Sequence, residues 1–130
     1  MRLKPDYTAA AGRVALAAIF VMSGLAKLAD PGATQGYIAS AGLPFPGLAC
    51  WGAAALEILG GAALIIGLKT RAAAVALAVF SIVTAIVFHS QFPDQNQMVH
   101  FMKNIAIVGG LLQVAAFGAG AISADARIGR

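Results

Sequence analysis

Four apolar runs, each about 20 residues long, decide what this chain can fold into. At about 1.5 Å per residue, each is the length of one membrane-spanning helix. The spacing predicts helices over residues 8–28, 48–68, 72–92 and 97–122. No segment alternates polar and apolar residues as a barrel strand does. The fold class expected is therefore all-α: one domain over residues 1–130, an integral membrane four-helix bundle. The mean hydropathy is +0.84 and only 11% of residues are charged, against about 25% in an ordinary soluble domain. Arg2, Lys4 and the small residues around Lys27 give the first run the outline of a signal peptide. Three further spans make it read as a retained helix.

Sparse charge falls at the ends of the runs. Arg2, Lys4 and Arg13 lie at the first end, Lys69 and Arg71 in the second loop, Arg127 and Arg130 in the tail. With four spans these share one side, and the other two loops carry no Lys or Arg. The positive-inside rule predicts that both termini are cytoplasmic. This distribution speaks for topology in a lipid bilayer and against nucleic acid as a partner. Arg13 and Lys27 are expected to snorkel to opposite interfaces. A single cysteine, Cys50, excludes an intrachain disulfide and a thiol–metal cluster.

Glu57, the only glutamate, falls in the middle of the second run, within Leu56-Glu57-Ile58-Leu59-Gly60-Gly61. It lies roughly 14 Å from the outer end at the helical rise. A carboxylate at that depth is costly unless protonated or paired, which makes it a site hypothesis. Lys27 and Lys103 can each reach it. Three readings stay open: an ion pair that fixes helix register, a proton-handling or ligand-gripping group in an outward-facing pocket, and a neutral, unpaired carboxyl group. His89, His100, Lys103 and Asn104 cluster at the same end, with His100, Lys103, Asn104 and Ile107 on one stripe. The inner half is expected to hold only Gln113 and hydroxyls.

His100-Phe101-Met102-Lys103-Asn104 sets hydrogen-bond donors beside aromatic and soft apolar surface, as a quinone or small-anion site requires. Haem is disfavoured: the two histidines sit near headgroup level and no attachment motif is present. No metal site is expected, since Asp94 is the one carboxylate near them. There is no phosphate loop, nucleotide fingerprint or hydrolase triad, and so no self-contained catalytic motif. A transporter is disfavoured by the lack of an inverted repeat. Gly52, Ala53, Gly60, Gly61, Gly109, Gly110 and the Gly118-Ala119-Gly120 stretch are expected close-packing positions. Residues 35–40 read as a short interfacial helix, with Tyr37, Phe45 and Trp51 at headgroup level.

Read together, these stretches resemble the DoxX family of small bacterial membrane proteins. The resemblance rests on Gly12-Arg13, Ser23-Gly24-Leu25-Ala26-Lys27, residues 36–44, Leu56–Gly61, Gly67-Leu68-Lys69-Thr70-Arg71, His89, Phe101-Met102-Lys103-Asn104 and residues 118–123, in that order. A proline is missing near Gly118. The resemblance implies a four-helix inner-membrane protein. It implies function only loosely: a membrane subunit of a redox-linked complex in contact with quinone, as in a thiosulfate–quinone oxidoreductase. The alternative is a non-catalytic accessory or assembly subunit packed on a larger respiratory or photosynthetic complex. A homo-oligomer is the remaining arrangement. The pocket or ion-pair candidates are Lys27, Glu57, His89, His100, Lys103 and Asn104.

Overall fold

The computed structural model describes residues 4–129. Arg2 and Arg130, which entered the topology argument, lie outside the described residues. The elements are α1 (Pro5–Ala29), α2 (Pro31–Ser40), α3 (Pro46–Ile66), α4 (Thr70–Phe88), α5 (Gln95–Phe117) and α6 (Ala124–Arg127). All described regular structure is helical, and α1, α3, α4 and α5 are long and apolar enough to cross a membrane.

Local chemistry sets the boundaries. Pro5, Pro31 and Pro46 each open a helix, where the missing N–H costs nothing and φ is already helical. Asp30 ends α1, and its carboxylate then accepts from the Ala33 N–H at 3.2 Å, capping α2. The interfacial helix therefore begins at Pro31, directly after α1, earlier than the sequence reading placed it. Gly67, at φ 76°, closes α3; its N–H and that of Leu68 both donate to the Ala63 carbonyl. α4 stops at Phe88 and α5 at Phe117, short of the expected 92 and 122. Gly118 and Gly120 have φ of 80° and 85°. They turn the chain out of α5 instead of extending it as a close-packing stripe.

The spans pair antiparallel. α1 packs along α3, α4 along α5, and α3 against α4 joins the pairs, while α1 and α5 barely touch. Small residues decide how closely they approach. A Cβ built on Gly24 would lie 2.5 Å from Ile58 Cγ1, and one on Gly61 would lie 2.6 Å from Val21 Cγ2. Gly60 faces Leu77 of α4 and Gly110 faces Leu16 of α1, both at 3.0 Å. Gly52 and Gly109 have open space above them and pack against nothing within the chain.

The packed core is Ala17, Phe20, Leu64, Ala74, Leu77, Ala78, Val108 and Leu111. These residues fill the half of the bundle nearer the termini. Large apolar side chains such as Met22, Leu59, Val79 and Leu112 point outward, as a surface solvated by lipid tails requires. In the other half Ile38, Cys50, Ala54 and Ala85 are buried as well, but they leave a space between the helices.

Candidate functional site

Where the core stops, a cavity of about 620 Å³ opens between α1, α3, α4 and α5, with α2 over its mouth. Its wall is mostly aliphatic and aromatic, with Ile19, Phe20, Ile38, Phe80, Val87 and Phe88 among its members. Polar groups interrupt this lining at Ser23, Lys27, Glu57, Ser81, His89 and Asn104. Space of this size, apolar with a few convergent polar groups, is the ordinary form of a small-molecule site.

The central pair is Lys27 and Glu57. Glu57 lies about 16 Å along α3 from Pro46, near the middle of the span. Its side chain is 4% exposed and that of Lys27 is 17% exposed. Their charged atoms, Nζ and Oε1, are 2.6 Å apart. Antiparallel packing of α1 on α3 makes this possible. Gly24 abuts Ala54 and Ile58, so Lys27, one turn further out, extends inward to reach Glu57. Lys27 Nζ also donates to Ser23 Oγ at 2.9 Å, one turn back on its own helix.

Asn104 ties α5 to α4 at the cavity wall. Its Nδ2 donates to the Ser81 carbonyl at 3.1 Å and to Thr84 Oγ1 at 3.2 Å. Both protons are thus spent within the protein, and Oδ1 is the atom left for a guest. At the mouth, Tyr37 of α2 stacks on Phe88 at 5.0 Å, holding the short helix against the end of α4. His89 lines the cavity and stacks on His100, with ring centroids 5.0 Å apart and planes inclined by 25°. Burial lowers the His89 pKa below the usual imidazole value, and the neighbouring His100 lowers it further. A side-chain contact with Gln97 opposes both.

The structure therefore brings Lys27, Glu57, His89 and Asn104 around one space. Lys103 is not among them. It lies on the exposed side of α5, and the partner of Glu57 is Lys27. His100 is also exposed and reaches the site only through His89. The stripe expected on α5 divides because Asn104 and Ile107 face the bundle interior while His100 and Lys103 flank it.

Sequence reasoning missed a second polar cluster, at the end that carries the termini. Arg13 does not snorkel outward; it is 2% exposed. Its guanidinium donates to the carbonyls of Leu64 at 2.7 Å and Ile65 at 3.3 Å, and to that of Ile122. These are carbonyls left over at the end of α3 and in the chain after α5, and a planar fork suits several at once. Asp125 accepts from the N–H groups of Lys69 at 2.7 Å and Thr70 at 2.9 Å, capping α4 from 55 residues away in sequence. Arg71 Nη1 donates to the carbonyls of Ala115 and Ala116 at the end of α5. The inner half is therefore polar at its rim, contrary to the expectation of hydroxyls and Gln113 alone. The available signal was the coincidence of helix ends with isolated charges.

Residues 8–90 match the family model described as DoxX. The inner membrane protein YqjF of Escherichia coli is 34% identical over 96% of this chain and 95% of its own length. The inner membrane protein YphA of the same organism is 33% identical over 88% of this chain and 86% of its own. No solved structure matches. With four apolar spans and relatives of this kind, the protein is a multi-pass inner-membrane protein. The chain belongs to the DoxX family.

Proposed function

We propose that this protein is a small subunit of a redox-linked membrane complex that takes the head of a quinone into the cavity around Lys27 and Glu57, with the termini on the cytoplasmic side. The observation that carries this reading is a buried ion pair on the wall of a largely apolar space of about 620 Å³. An apolar wall suits a lipid-soluble ring. Lys27 Nζ can donate to a quinone carbonyl, and Glu57 is close enough to exchange a proton with it. Asn104 Oδ1 offers an acceptor for a quinol hydroxyl. The mouth lies at the end away from the termini, and the basic residues of the other end favour the cytoplasm there.

The test is equilibrium binding of a short-chain ubiquinone to the purified protein in mild detergent. One quinone should bind per chain. Lys27→Met should weaken it by about tenfold, the value of one charge-assisted hydrogen bond. If both Lys27→Met and Glu57→Gln bind as the parent does, the quinone reading is wrong.

A second reading has its own support. Gly52 and Gly109 leave open space on the outer faces of α3 and α5, where another helix could approach closely. An accessory subunit would be insensitive to Glu57→Gln. It would leave its complex when Gly52 or Gly109 became leucine.

A further inference from the structure

A second cavity, of about 610 Å³, lies at the opposite end of the bundle, between the first turn of α4 and the chain that follows α5. We infer that it is a phosphate site, made by Lys69, Thr70 and Arg71 and occupied by the phosphate of an anionic lipid headgroup or of a soluble phosphate ester. The inference is independent of the quinone reading, which concerns the other end of the molecule.

Three features carry it. The first is charge. Lys69 and Arg71 both line the space, and the Arg13 guanidinium lies close enough to interact electrostatically with Asp125 at its edge. Asp125 is the one carboxylate in the lining. Both of its oxygens already accept backbone N–H groups from α4. The lining itself holds two cations, Lys69 and Arg71, against one carboxylate whose oxygens are already engaged.

The second is the helix end. Asp125 satisfies the N–H groups of Lys69 and Thr70. Those of Arg71 and Ala72, in the same first turn, have no carbonyl within the helix to receive them. Both residues line the cavity, and a helix N-terminus favours an anion there.

The third points to a ligand independently of the helix end. Thr70 is 1% exposed and forms part of the cavity wall, and its Oγ1 has no hydrogen-bond partner among the described residues. A buried hydroxyl without a partner is a cost that a protein rarely carries. A phosphate oxygen in this space would accept from it, and Lys69 and Arg71 would neutralise the charge. The location suits a headgroup: the α3–α4 turn stands where apolar helix gives way to the basic rim.

The experiment uses the full-length protein in an uncharged detergent at about 0.15 M salt, where loose surface attraction is screened. The probes are dioctanoyl phosphatidylglycerol and glycerol 3-phosphate. Lys69→Asn keeps a side chain that tolerates the φ of 47° found there. Thr70→Val keeps the shape and removes the hydroxyl. Each should weaken binding about tenfold, while Arg127→Gln, at the same end but outside the cavity, should not. Binding of the lipid without competition from glycerol 3-phosphate identifies a headgroup site. Competition at similar concentrations identifies a soluble ester. The inference is overturned if neither probe binds, if both Lys69→Asn and Thr70→Val bind as the parent does, or if Arg127→Gln weakens binding as much as Lys69→Asn.

Discussion

Lys27 Nζ and Glu57 Oε1 stand 2.6 Å apart near the middle of the membrane span, on two helices whose separation is set by glycine. The two residues are unequally buried, at 17% and 4% side-chain exposure. Removing either partner therefore has different consequences. Lys27→Met strands a carboxylate with almost no exposure, and should lower stability by about 3 kcal/mol, the lower range for a broken buried pair. Glu57→Gln leaves an ammonium that still has Ser23 Oγ at 2.9 Å, and should cost less. The double variant should recover most of the loss. Thermal unfolding of the four proteins in one detergent measures the cycle; equal losses for the two single variants would contradict it.

Helix separation can be tested on its own. Gly61→Ala places a methyl 2.6 Å from Val21 Cγ2 and close to the Ala17 carbonyl. The expected loss is about 1–3 kcal/mol, the usual range for overpacking. Val21→Ala in the same chain should restore part of it by removing the clashing carbon. Gly52→Ala, with open space around it, should not lower the unfolding temperature of the isolated protein, since alanine is the better helix former.

The inner end predicts a stabilising role for a residue that looks like part of a loose tail. Asp125→Ala deprives the Lys69 and Thr70 N–H groups of their acceptor. A lost cap costs about 1–2 kcal/mol. Hydrogen exchange should quicken first in the opening turn of α4, ahead of its centre.

His89 predicts a pH dependence. Its pKa is lowered in the folded protein, by burial first and by His100 second. The unfolded chain therefore binds this proton more readily than the folded one. Stability is fully present above the ordinary imidazole value of about 6.5 and falls as the pH drops below it. Unfolding temperatures at pH 7.5 and 5 should differ in that direction, and His89→Gln should flatten this part of the profile.

Much of the architecture was legible because a bilayer admits few alternatives. Runs of about 20 apolar residues in lipid satisfy their backbone only as helices, and antiparallel order follows from short connections. Glu57 was legible as a site for the same reason: a carboxylate deep in an apolar run needs a partner or a proton. Helix ends were less legible. Gly118 and Gly120 carry the same letters whether they pack a helix or turn it, and only their φ values distinguish the two.

By itself, the sequence determined the class of fold, the number of spans, the common side of the basic rim and the need for a partner at Glu57. The tertiary structure decided which lysine answers that need. Lys27 and Lys103 are equally long, but only α1 lies along α3, while Lys103 flanks the exposed face of α5. The tertiary structure also turned Arg13 from a residue expected to snorkel outward into one that ties helix ends together, and gave Asp125 the same role. The physical reason is range. Hydrophobic length and local charge act through neighbours in sequence, whereas a hydrogen bond between residues 51 or 55 positions apart exists only once packing has fixed the register.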